Sequence, residues 1–195
     1  MQIVQFPHPA LRWKSSDITR IDAKLRGIVR EMFALMYAAR GIGLAANQVA
    51  LPLRLFVMNA GGEPDDPESE LVFINPEIIH RKGSVLGEEG CLSLPELYAE
   101  VRRAEQIIVS AYDLKGAGFE MTLEELPARV VQHEYDHLDG VLFTDRLSDE
   151  AQQELAPRLQ EFADRHRRSQ HEGTLPTDEV LRAELKALAH EWSAG

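Results

Sequence analysis

The chain has almost no cysteine: Cys91 is the single one among 195 residues. An intrachain disulfide is therefore impossible, and cysteine usage gives no sign of secretion. Positive charge is also scarce. Thirty-two acidic side chains against 21 basic ones leave a formal charge of −11 at pH 7, which argues against nonspecific binding to DNA or RNA, because phosphate neutralisation needs a basic surface. The simplest consequence of that charge is solubility. No apolar run approaches the roughly 20 residues needed to span a bilayer. The opening Met1-Gln2-Ile3-Val4-Gln5-Phe6-Pro7 lacks the basic start and apolar stretch of a signal peptide. The expectation is a cytoplasmic protein that uses no membrane. What is present in quantity is apolar residue, at 44% of the chain, enough to build one substantial domain with a proper core.

Asp22 is placed to cap a helix whose apolar face is Leu25, Ile28, Val29, Met32, Phe33, Met36 and Tyr37. Gly41-Ile42-Gly43 should end it, and Leu53 to Met58 reads as a strand. The segment from Gly61 to Glu68 is acidic and rich in helix and strand breakers, and is expected to be an exposed loop. Leu71 to Ile74 and Val85-Leu86 suggest short strands. Ile107 to Tyr112 and Phe119 to Leu123 suggest a hairpin around Lys115-Gly116-Ala117-Gly118. Pro127 suits the first turn of the next helix, and Gly140 suits its left-handed end. Beyond Asp145 the pattern is helical, with Pro157 expected to bend the helix or mark a restart. His171 to Pro176 reads as a linker, and Thr177 as the cap of a last helix bearing Leu181, Leu185, Leu188 and Trp192. That stripe needs burial, against its own domain or in a homodimer. Strands before a late helix, without regular βαβ alternation, predict an α+β fold. Short antiparallel sheets would pack around a central metal-binding helix, followed by a C-terminal helical extension.

The chemistry is concentrated in His133-Glu134-Tyr135-Asp136-His137. Four residues apart on a helix, the two imidazoles share a face with Cβ atoms roughly 5–6 Å apart, close enough to hold one metal ion. Glu134 is turned roughly 100° away, so it flanks the ion and stands where a carboxylate must be to take a proton from water. A catalytic divalent metal commonly has three protein ligands and one open position. The third ligand is not a further histidine, because the position three residues after Gly140 is Phe143. Two candidates remain: Glu161 downstream, and Cys91 within Glu89-Gly90-Cys91-Leu92-Ser93.

Three segments together resemble the motifs of peptide deformylases, in family order: Gly41-Ile42-Gly43-Leu44-Ala45-Ala46-Asn47-Gln48, then Glu89 to Ser93, then His133 to Gly140. The similarity runs from about Phe6 to about Ser148. It implies removal of the N-formyl group from N-formylmethionyl nascent peptides, in transient proximity to the ribosome. It also implies metal ligands Cys91, His133 and His137, with water in the fourth position and Fe²⁺ as the physiological ion; Zn²⁺, Ni²⁺ or Co²⁺ can substitute. Glu134 would move protons, and the Gln48 side-chain amide and Leu92 backbone N–H would stabilise the oxyanion. Gly43 and Gly90 would let the peptide backbone approach closely, and Ile42, Leu126 and Val130 would hold the methionine side chain. Asp136 would pair with Arg103, while Arg129 would face solvent or pair with an acid. Two features depart from the family pattern: the acidic insertion at 61–70 and the continuation beyond about His171. The second divides the chain into a catalytic portion, 1–170, and an extension, 171–195.

Two rival readings remain. One is a metallopeptidase using His133, His137 and Glu161, with Cys91 merely buried. The other is a non-catalytic metal-binding or structural protein, which the presence of both Glu134 and Gln48 disfavours.

Overall fold

Asp22 caps helix α1, Ala23–Ala38, its side chain accepting from the Leu25 N–H at 2.9 Å. The computed structural model describes residues 1–64 and 66–193; Asp65 of the acidic loop and positions 194 and 195 of the tail lie outside the described residues. Along α1 the buried side chains are Leu25, Val29, Met32, Phe33 and Met36, the stripe expected from the 3.6-residue period. The helix stops earlier than the glycines suggested, at Ala38, and the left-handed residue after it is Arg40 (φ 55°).

Seven strands follow: β1 Gly43–Ala45, β2 Leu55–Met58, β3 Leu71–Lys82, β4 Val85–Cys91, β5 Leu94–Arg103, β6 Gln106–Tyr112 and β7 Gly118–Glu124. They form a five-stranded sheet in the order β1-β2-β3-β6-β7 and a separate β4-β5 pair, with every pairing antiparallel. Strand β2 is buried on both faces, and its period of two divides the core. Leu55 and Val57 join the α1 cluster, while Phe56 and Met58 turn to the opposite face. On that opposite face lies α2, Glu125–Leu138, which contributes Ala128, Val130, Val131 and Leu138. Pro127 sits in its first turn, where a missing N–H costs nothing, and Gly140 follows its C-cap with φ 73°.

Strands β3 and β4 are longer than the sequence pattern suggested, and β5 was not expected at all. After Pro95 and Glu96, β5 alternates regularly: Leu97, Val101 and Arg103 are buried, and Tyr98, Glu100 and Arg102 are exposed. Pro95 hid this strand. The pairing steps from Cys91↔Leu94 to Gly90↔Tyr98, so β5 bulges at residues 95–97, with Glu96 left-handed (φ 60°). Bulges redirect side chains next to functional sites, and this one ends in the tight Leu92-Ser93 turn that presents Cys91. The acidic loop is ordered by a buried residue that gave no sequence signal. The Asn59 amide nitrogen donates to the Tyr37 hydroxyl and to the Glu63 and Asp66 carbonyls.

Helix α3, Asp149–His171, runs unbroken through Pro157, so the expected restart does not occur. Residues 172–177 link it to α4, Asp178–Ser193. The Thr177 hydroxyl lies 3.5 Å from the Val180 N–H, a weak cap. Leu181, Leu185 and Trp192 are buried against the chain's own fold. Trp192 completes the α1 cluster, and Leu185 joins the cluster built by Val4, Leu11, Leu97, Phe143 and Phe162. Three of the four stripe residues are thus covered within the chain, and Leu188 is half-buried.

Leu185 is 2% exposed, so Leu185→Ala should destabilise the whole protein by about 2–5 kcal/mol, read as a lower urea midpoint. A loss below about 1 kcal/mol would mean that α4 packs only loosely.

Candidate active site

Helix α2 delivers His133, Glu134 and His137 from one side, and the end of β4 delivers Cys91 from the other. The ligand atoms of Cys91, His133 and His137 lie within 4.8 Å of one another. Cys91 Sγ is 3.3 Å from His137 Nε2. Glu161 is not part of this group. It sits on α3, largely exposed, at 3.6 Å from Arg158, which removes the geometric basis for the Glu161 metallopeptidase. Sequence spacing alone had left these two candidates open, and folding separates them.

Behind the donors lies a buried ion network. His133 Nδ1 is 2.9 Å from Glu89 Oε2. An ionised carboxylate can only accept, so the proton is on Nδ1 and Nε2 is left to face the other ligands. Arg103 grips Glu89 with two bonds, of 2.8 and 2.9 Å, and donates to Asp136 at 2.5 Å. Arg146 closes on Asp136 through bonds of 2.7 and 2.5 Å. Arg129, left between solvent and an acid by the sequence, donates to Glu89 and to the Gly87 and Val101 carbonyls. The side chains of Glu89, Arg103 and Asp136 are 4%, 3% and 8% exposed. Such charges are tolerable only when each is paired and hydrogen-bonded. The Asp136–Arg103 pair follows the expectation, whereas Glu89 as the hub and Arg146 as a second clamp were missed. A carboxylate two residues before Cys91 was the only available signal for Glu89, and Arg146 had none.

Gln48 is buried on a turn at residues 46–49. Its Oε1 accepts from the Ala45 N–H at 2.8 Å, which turns the amide nitrogen toward Ser93 Oγ at 3.3 Å and Cys91 Sγ at 3.4 Å. Gly43 and Gly90 permit close approach, but first of all within the protein. A Cβ on Gly43 would stand 2.5 Å from Glu134 Oε1, and one on Gly90 would stand 2.6 Å from the Tyr98 ring. Outside the donors opens a cleft of about 730 Å³, lined by Ile42, Gly43, Gly90, Leu126 and Val130 among others, with Leu92 beside Cys91. Tyr98, unanticipated from the sequence, also lines it and is 62% exposed.

Burial raises the Glu134 pKa to about 7, assisted by the Glu89 charge; His133, the Ala45 backbone and Arg103 act against it. Burial, then the His133 and Arg103 charges, hold His137 well below the ordinary histidine range, which keeps it neutral, the form that binds metal. For His133, burial acts downward, but bonds and charge from Cys91 and the bond to Glu89 outweigh it and raise the pKa well above the ordinary value. An incoming cation displaces the second proton, the one on Nε2, while Nδ1 keeps the proton it shares with Glu89. Two buried side-chain atoms among the described residues lack a partner, Glu134 Oε2 and His137 Nδ1. Both lie at this site. A soft thiolate and two imidazoles are also a donor set for a divalent transition metal, so the residues present fit a bound cation.

Comparison with known proteins agrees. The polypeptide deformylase family profile matches residues 1–153, and a peptide deformylase of Rhodopirellula baltica is 45% identical over 194 residues, covering 100% of this chain and 94% of that protein. The chain belongs to the polypeptide deformylase family. It is accordingly an enzyme of the hydrolase class. Among solved structures, the peptide deformylase of Plasmodium falciparum matches with a TM-score of 0.83 and 37% identity, over 86% of this chain and 98% of that one. The peptide deformylase of Thermotoga maritima gives 0.71 and 40%, over 75% and 97%.

Burial would raise the Glu89 pKa, but the bonds from Arg103 and His133 and their charges hold it well below the ordinary 4.5. A depressed folded-state pKa means that the ionised carboxylate stabilises the fold. That contribution is complete above pH 4.5 and is lost as the pH falls further. Glu89→Gln should therefore lower the urea midpoint at pH 7 and flatten its decline below pH 4.5. Parallel pH profiles for the two proteins would remove Glu89 from the hub.

Proposed function

We propose that this chain removes the N-formyl group from the N-terminal formyl-methionine of newly synthesised polypeptides, releasing formate. One observation carries the reading. Cys91, His133 and His137 converge beside a buried, unpartnered oxygen of Glu134, and Cys91, His133 and Glu134 line a cleft that Ile42, Leu126 and Val130 also line. The three would hold one divalent cation. Fe²⁺ is the proposed physiological ion, with Zn²⁺, Ni²⁺ or Co²⁺ able to replace it, because thiolate and imidazole donors accept all four. When bound, the ion supplies Lewis-acid activation of water and of the formyl carbonyl.

The chain's own groups do the rest. Glu134, with a pKa raised to about 7, is poised to take a proton from the attacking water and pass it to the departing amine. Water adds to the formyl carbon, the C–N bond breaks, and formate and a free α-amine result. The Gln48 amide nitrogen, aimed by the Ala45 N–H, and the Leu92 N–H donate to the oxyanion; each such preorganised donor is worth about 2.7–4 kcal/mol. Ile42, Leu126 and Val130 receive the methionine side chain, while Gly43 and Gly90, whose missing Cβ atoms admit Glu134 and Tyr98, flank the peptide backbone. All these groups lie within the proposed catalytic portion, 1–170; of the proposed extension, 171–195, helix α4 braces that portion through Leu185 and Trp192. The substrate places the enzyme in the cytoplasm and transiently near ribosomes; no helix among the described residues is long and apolar enough to cross a membrane.

The test is anaerobic formate release from a formyl-Met peptide, with metal analysis of the same sample. Glu134→Gln should retain about one metal per chain and lose about 10²–10⁴-fold in kcat. Near-wild-type turnover by the metal-loaded variant would exclude Glu134 as the proton carrier. Failure of the loaded wild type on formylated peptides, with activity on unformylated ones, would overturn the function itself.

A further inference from the structure

The catalytic cleft does not end at its own rim. A second cavity, of about 630 Å³, lies along α3 and shares Gln5, Pro95 and Glu96 with the first. An extended chain leaving the catalytic cleft past the β5 bulge therefore enters a groove walled by α3. Arg158, Arg165 and Arg168 line that wall.

The charges there are not equally engaged. Arg158 stands 3.6 Å from Glu161, and Asp164 is taken by Arg167. Arg165 lies over the Phe162 ring at 4.5 Å from its guanidinium carbon, and Phe162 is buried. No carboxylate pairs with Arg165 or Arg168 among the described residues. The two are three residues apart, hence neighbours on one helix face, and both are exposed. In a chain of net charge −11, two unneutralised guanidinium groups facing a groove continuous with the catalytic cleft mark it for an anion. A planar guanidinium presents the donor fork that a carboxylate fits.

We infer that Arg165 and Arg168 recognise an acidic side chain of the substrate downstream of its methionine, so that the α3 groove sets sequence preference in the deformylation proposed above. A nucleic acid is the poorer occupant, because Glu96, Glu161 and Asp164 line the same groove and would repel a continuous run of phosphates. A peptide can place one carboxylate past them. Glu96, at the junction of the two cavities, disfavours an acid beside it, so the preference belongs to a position farther along the chain.

The test uses metal-loaded enzyme and C-terminally amidated formyl-Met hexapeptides, in which a single Asp is walked from the third to the sixth residue against Asn controls. Amidation removes the terminal carboxylate as a competing source of charge. At one position Asp should raise kcat/KM about 3- to 10-fold, the size expected for one or two exposed charge pairs. The gain should lie in KM, fade in high salt and vanish in Arg165→Gln/Arg168→Gln. The corresponding double Lys variant should retain part of it. Both variants should match wild type on formyl-Met-Ala amide, which is too short to reach the groove. Equal use of Asp and Asn at every position, or an Asp preference that survives in the Gln variant, overturns the inference while dipeptide turnover leaves the function standing. Loss of RNA-duplex binding in the Gln variant, with the Asp preference unchanged, would assign the groove to phosphate and overturn it equally. If wild type fails on the dipeptide, the deformylase reading falls, and the groove's role with it.

Discussion

Arg103 holds the site together. From the end of β5 it reaches Glu89 on β4 and Asp136 on α2, so one guanidinium ties the strand that presents Cys91 to the helix that presents both histidines. Removing any member would leave a buried charge unpaired, at a cost of about 3–5 kcal/mol. Such a network contributes less to net stability than to position. Its geometry is narrow because guanidinium and carboxylate are planar and every bond is directional. Glu89 links position to chemistry, since the carboxylate that accepts from Arg103 also fixes the His133 tautomer.

The rest of the fold makes this arrangement rigid. Helix α2 is pressed on the five-stranded sheet by Val131 and Leu138 and is bonded to the β5–β6 turn through the Gln132 amide, which meets both the Ala104 N–H and carbonyl at 3.0 Å. The bulge in β5 folds the chain back so that Cys91 lies at a turn and not within a regular ladder. Gln48 arrives by an independent route, on a short turn whose Asn47 side chain donates to the Ala10 and Trp13 carbonyls. Side chains from three places in the sequence thus meet at one site, each held by hydrogen bonds to a different part of the fold.

Much of this was legible because its causes are local. Asp22 capping α1, the strand at Leu53 to Met58, Pro127 in the first turn of α2 and the i, i+4 histidines all follow from helix and strand geometry. What escaped the sequence depends on partners distant in the chain. Pro95 masked β5 because a breaker within an alternating pattern reads as a loop until its bulge is seen. Arg146 and Asn59 looked like ordinary polar residues, and only folding brings Asp136 to one and the acidic loop to the other. Gly43 and Gly90 were read as room for a substrate, whereas their missing Cβ atoms first admit Glu134 and Tyr98. Cys91 became distinguishable from Glu161 as a third donor only through motif resemblance and then through distance.

The central claim is that the ion network presents one thiolate and two imidazoles to a single divalent cation. Absorption spectroscopy of Co²⁺-loaded protein tests it most directly, because a thiolate bound to cobalt gives a charge-transfer band in the near ultraviolet. The account predicts that band at one cobalt per chain, its loss in Cys91→Ser, and weaker cobalt binding in Arg103→Gln with the band position preserved. A cobalt complex without the thiolate band, or one that Cys91→Ser leaves unchanged, would contradict it.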